Sequence, residues 1–93
     1  MTFFMFGKYS GEALEAISAK RTAAARDLIE KLGGSVKDMY ALLGQYDLVL
    51  IVELPTMTDA MKAAVALGRE TGISFCTAPA MTVAEFDRLT GEI

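Results

Sequence analysis

The run Ser35-Val36-Lys37-Asp38-Met39-Tyr40-Ala41-Leu42-Leu43, then Gly44-Gln45, then Tyr46-Asp47-Leu48-Val49-Leu50-Ile51-Val52-Glu53-Leu54 decides the fold. Two β-rich stretches flank a short connection with glycine first, which suits a type II′ hairpin turn. In that register Leu43 faces Tyr46, Leu42 faces Asp47, Tyr40 faces Val49 and Val36 faces Glu53. Directly paired residues share a face of the sheet. One face then carries Met39, Ala41, Leu43, Tyr46, Leu48, Leu50 and Val52, and is expected beneath helices. The other carries Val36, Asp38, Tyr40, Leu42, Asp47, Val49, Ile51 and Glu53. An uncovered face should alternate to polar residues, yet this one keeps Leu42, Val49 and Ile51.

Upstream, Thr2–Tyr9 reads as a first strand, with Phe3 and Met5 on one side and Phe4 and Phe6 on the other. Ser10 is a plausible N-cap for one helix that runs to Gly33-Gly34. Downstream, Pro55 ends the hairpin, and Thr56-Met57-Thr58-Asp59 opens a second helix that closes near Thr71-Gly72. Ile73–Met81 is the last strand, marked as an edge or bulged strand by Pro79. Thr82-Val83-Ala84-Glu85 forms a capping box, so a short terminal helix carries Phe86 and Leu89. The order βαββαβ predicts an α+β fold of the ferredoxin-like kind. Its four-stranded antiparallel sheet has two helices on one face, with a short C-terminal helix added. A parallel βαβ fragment leaves the hairpin unexplained. Residues 1–93 are expected to form a single domain.

The chain is 53% hydrophobic and 23% charged. A domain this small buries only about 60–70% of its unfolded surface, so apolar area remains outside a lone copy. Self-association, as a homodimer or higher homo-oligomer, is the expected consequence. There is no His, no Trp, no Asn and a single Cys. His-dependent triads, imidazole metal sites and Cys-pair zinc sites are thereby excluded. No P-loop or GxGxxG motif and no metal-ligand spacing occurs, and no cofactor is expected. The net charge of −3 comes without a basic stripe, so nucleic acid is not an expected partner. The longest apolar run, Leu48 to Val52, is far short of the roughly 20 residues that span a bilayer. A lone Cys76 fits a reducing compartment, and a cytoplasmic location is the expectation.

On a helical wheel Leu14, Ile17, Ala24, Ala25, Leu28 and Leu32 form one stripe. Arg21 falls within it and Ser18 at its edge. A guanidinium there must be paired or reach the open side, because burying it alone costs several kcal/mol. It reads either as a structural ion pair or as an anchor for a carboxylate in a cleft. Asp47 and Glu53 are candidate partners. Tyr40, Asp47 and Glu53 form a second constellation, able to hold a polar ligand group or move a proton. The structural alternative has Asp47 capping backbone amides after the turn and Glu53 ending a strand. Gly68 reads as a close backbone approach and the six Met as gap-fillers.

At Gly44, Tyr46 and Asp47, with Gln45 between, the sequence resembles the GYD-domain family of small bacterial and archaeal proteins. The matching stretches include Ile17-Ser18-Ala19-Lys20-Arg21-Thr22, Gly33-Gly34, Met39 through Asp47, Val52-Glu53 and Ala66-Leu67-Gly68. The resemblance implies a ferredoxin-like fold of the dimeric α+β barrel kind and brings no established activity. Cys76 through Met81 departs from the more regular strand expected of the family. The hairpin followed by Glu53-Leu54-Pro55 also looks like the effector-binding domains of leucine-responsive regulators, which bind amino acids between subunits.

The leading expectation is an oligomeric small-molecule binder with its pocket between the open sheet face and a partner subunit. Its ligand would be a small organic acid or an amino acid, held by Ser18, Arg21, Tyr40, Tyr46, Asp47 and Glu53. One alternative is a cofactor-independent oxygenase- or isomerase-like enzyme, in which Tyr40, Asp47 and Glu53 carry protons. A structural assembly module is the other.

Overall fold

A computed structural model describes residues 1–93. Its strands are β1 (Thr2–Tyr9), β2 (Ser35–Ala41), β3 (Leu48–Glu53) and β4 (Ile73–Ala80). The helices are α1 (Gly11–Glu15), α2 (Ala19–Lys31), α3 (Met57–Thr71) and α4 (Val83–Gly91). The strands form one sheet in the order β2-β3-β1-β4, with every neighbouring pair antiparallel. This is the ferredoxin-like arrangement read from the hairpin.

Each helix begins where a hydroxyl side chain satisfies a free backbone N–H of the first turn. Ser10, Ser18, Thr56 and Thr82 cap α1, α2, α3 and α4 in turn. The expected single helix from Ser10 to Gly33 is thus two helices. Ser18 is extended at φ −160° and ψ 155°, and its Oγ accepts from the Arg21 N–H at 3.0 Å. A serine that bonds to the backbone ahead of it starts a new helix rather than continuing the old one. Gly72 ends α3 at φ +75°, a conformation that favours glycine.

The core lies between the sheet and the helices α2 and α3. It is built from Phe3, Met5, Leu50, Val52, Leu54, Ile29, Ala60, Ala63 and Leu67. Ala60, Ala63 and Leu67 lie at helical spacing on one side of α3, and two alanines there let the helix approach the sheet closely. Each fully buried large side chain contributes about 1.5–3 kcal/mol.

Three details of the hairpin differ from expectation. A bulge between Val36 and Asp38 shifts the register, so Val36 pairs with Val52 and Ser35 with Glu53. The extra residue, Lys37, reverses the alternation, and Val36 packs against the core rather than on the open face. The turn is wider than two residues: β2 stops at Ala41, β3 starts at Leu48, and a last bond joins Leu42 N–H to the Asp47 carbonyl. Gly44 has φ +145°, outside a type II′ turn. Leu43 and Tyr46 therefore leave the helix side: Leu43 is fully exposed, and Tyr46 stacks on Phe6. In contrast, β4 pairs with β1 without a break from Ile73 to Ala80. Pro79 sits on this edge strand, where a missing N–H costs no ladder bond. No helix is long and apolar enough to cross a membrane.

Candidate functional site

On the helix side, a cleft of about 70 Å³ opens between α2, the end of α3 and the sheet. Leu48, Leu50, Leu67, Ile73 and Phe75 form its apolar walls, with Tyr9, Arg21, Thr22 and Thr71 among the lining residues. Gly7 lies beneath these walls, and a Cβ there would strike Leu48 and Ile73 side chains. Arg21 emerges from the third position of α2 and is half-buried. Its Nη1 donates to the Ala13 carbonyl at 2.5 Å, and its guanidinium carbon lies 5.5 Å from the centre of the Tyr9 ring. The chain's two ion pairs both end on Glu53, and Arg21 takes part in neither. The candidate ion pair with Asp47 or Glu53 is not formed. A carbonyl and a ring face hold the cation instead.

The opposite face of the sheet is uncovered by the helices α2 and α3. Its register sets Tyr40, Val49, Phe6 and Cys76 in one row across all four strands. Asp38, Ile51, Phe4 and Ala78 form the next. Tyr40 is 56% exposed at the edge of this band. Phe4 and Phe6 lie 6.3 Å apart, and Phe6 and Tyr46 5.3 Å apart, so three aromatic rings run along the face. The Tyr46 hydroxyl is raised above its ordinary pKa, chiefly by a hydrogen bond with the Cys76 thiol.

The two carboxylates are engaged within the fold. Asp47 Oδ2 accepts from the Tyr9 N–H at 2.8 Å, while the Asp47 N–H donates to the Gly7 carbonyl at 2.8 Å. Glu53 Oε1 accepts from the Thr2 hydroxyl at 2.6 Å and meets Lys37 Nζ at 3.0 Å. These contacts, with the Thr2 bond foremost, lower the Glu53 pKa to about 2. A carboxylate so acidic is a weak base near neutral pH.

The six candidate residues therefore do not converge. Ser18 and Arg21 stand on the helix side; Tyr40 and Tyr46 belong to the open face; Asp47 and Glu53 fasten strand ends. Tyr9 and the Ala13 carbonyl, which hold Arg21, were not among the candidates. The alternation of strand one does put Tyr9 on the side of Phe3 and Met5, the one signal that pointed there. No three Cys, Asp or Glu side chains lie close enough together to hold a metal ion.

The GYD domain model matches residues 3–90. The chain belongs to the GYD-domain family. Within that family's span, the namesake Gly44, Tyr46 and Asp47 build the wide turn of the hairpin. Among solved structures, the chain is similar to the leucine response regulatory protein of Mycobacterium tuberculosis, with a TM-score of 0.57 at 10% identity. The match covers 87% of this chain and 50% of that one, so the GYD chain spans half the regulator's length. At that identity the likeness is one of fold. No curated protein matches the chain.

Proposed function

We propose that this chain is a small-molecule-binding domain that works as a homo-oligomer, a second copy covering the open face of the sheet. The observation that carries the reading is the apolar band on that face: Phe4, Phe6 and Ile51, each partly exposed, flank Val49 in adjoining rows, with Tyr40 exposed at the edge. Contiguous exposed apolar patches of this kind mark interaction surfaces on soluble proteins. The terminal helix supports it, since α4 buries none of its residues and leaves Phe86 and Leu89 half exposed. A two-fold partner would bury both surfaces at once. The likeness in fold to a regulator named for its leucine response supports a binding role. The commitment of Asp47 and Glu53 to backbone and ion-pair contacts ranks binding above proton-transfer catalysis.

The test is the solution mass of the wild type and of Tyr40→Lys by light scattering, joined to a thermal-shift screen of organic acids and amino acids. The wild type is expected to be a dimer or larger, Tyr40→Lys to dissociate while keeping its circular dichroism, and at least one compound to raise the melting temperature. A monomeric wild type that no compound stabilises would overturn the reading.

A further inference from the structure

We propose that the cleft beside Arg21 is a site for a small aliphatic monocarboxylate that carries no α-ammonium group. The inference rests on the reading of the chain as a binding domain, but it places the ligand on the opposite side of the sheet from the open face.

Arg21 is the one charged side chain lining the cleft, and no Asp or Glu lines it. Its charge has no carboxylate partner anywhere in the chain. On its own helix nothing acidic in the first turn offsets that charge, Lys20 precedes Arg21, and the N-terminal end of a helix carries a partial positive charge. One guanidinium nitrogen is spent on the Ala13 carbonyl and the planar group lies over Tyr9. The remaining N–H donors suit the two oxygens of a carboxylate. The group is therefore held in place before any anion arrives, by contacts that leave its charge unanswered.

The walls choose the rest of the ligand. Leu48, Leu50, Leu67, Ile73 and Phe75 offer no charged partner. A cavity of about 150 Å³ lined by such residues holds benzene. The 70 Å³ here is about half of that and suits an alkyl group of about three or four carbons beyond the α-carbon. An amino acid would bring its ammonium group next to Arg21, where no acid lines the cleft to receive it. The cleft therefore separates an acid from its own amino derivative by repulsion, which is how specificity between near-isosteres is obtained.

Isocaproate and leucine differ only by that ammonium group and form the decisive pair. Binding is measured by calorimetry, and the site by methyl resonances in a carbon-13 NMR titration of the full chain. Isocaproate is expected to shift Ile17, Leu67 and Ile73, and leucine to bind about tenfold or more weakly. Arg21→Gln should weaken isocaproate about tenfold or more, Arg21→Lys should restore part of it, and Ala25→Leu should block it by filling the cleft. If Arg21→Gln fails to fold, Ala25→Leu and the two ligands decide. Equal binding of leucine would overturn the charge argument. Shifts confined to Val49 and Ile51 on the open face would overturn the cleft while leaving a binding domain in place. No binding of isocaproate, with other compounds stabilising the protein, would do the same.

Discussion

The carboxylate of Asp47 receives the backbone N–H of Tyr9 at 2.8 Å, across 38 positions of chain. The namesake turn of the family thereby grips the last residue of β1, whose ring supports Arg21. Turn and cleft are joined through one residue: its amide answers to Asp47 and its ring to Arg21.

Replacing Asp47 by alanine leaves the Tyr9 N–H without its partner. A hydrogen bond to a charged group is worth about 1.5–3 kcal/mol, and urea denaturation of Asp47→Ala should show a loss of that order. Asp47→Asn, which still offers a carbonyl oxygen, should lose less. Equal losses would place the effect in the charge rather than in the bond.

Glu53 makes stability depend on pH in one direction. Its folded-state pKa of about 2 lies below the ordinary 4.5. The stabilisation is complete above about 4.5 and disappears as pH falls through about 2. Urea midpoints measured across this window should fall with pH in the wild type. In Glu53→Gln that part of the slope should be absent.

Two glycines tolerate a methyl group differently. A Cβ on Gly34 would run into the carbonyl of Glu53, which is backbone. A Cβ on Gly7 would meet side chains of Leu48 and Ile73, which border the cleft and have space to move. Overpacking costs about 1–3 kcal/mol where side chains can shift. Gly7→Ala should fall in that range, and Gly34→Ala should be the more damaging of the two in thermal melts.

Ser18→Ala removes the cap of α2, a change that costs about 0.5–2 kcal/mol. Because Arg21 donates its N–H to that cap, the substitution should also loosen the guanidinium. A lower melting temperature and a broader Arg21 side-chain resonance are expected together. A lower melting temperature alone would confine Ser18 to the helix.

The helix side of the sheet was legible because hydrophobic alternation carries it, as Leu48, Leu50 and Val52 illustrate, and the antiparallel four-stranded arrangement because the element order βαββαβ implies it. The bulge at Lys37 was not, since nothing in Ser35-Val36-Lys37-Asp38 distinguishes one extra residue from regular pairing until Glu53 draws Lys37 toward it. The break in the first helix was within reach: Ser18 is a good N-cap residue, but Ser10 satisfied the same expectation earlier in the chain. The wheel found Arg21 because it counts positions on one helix. It did not find Tyr9, because a cation and its aromatic support come from elements that only the fold brings together.

The bulge also sets where this chain tolerates a change in length. Removing Lys37 would leave Val36 opposite Val52 and Asp38 opposite Ile51, now in plain alternation, so Val36 stays over the core. Loss of a residue between Leu43 and Tyr46 would only shorten a turn whose members make no ladder pairs. Single deletions at two places in one hairpin are thus absorbed, one by the bulge and one by the loop, whereas loss of Met39 or Tyr40 between them would turn Asp38 toward the core.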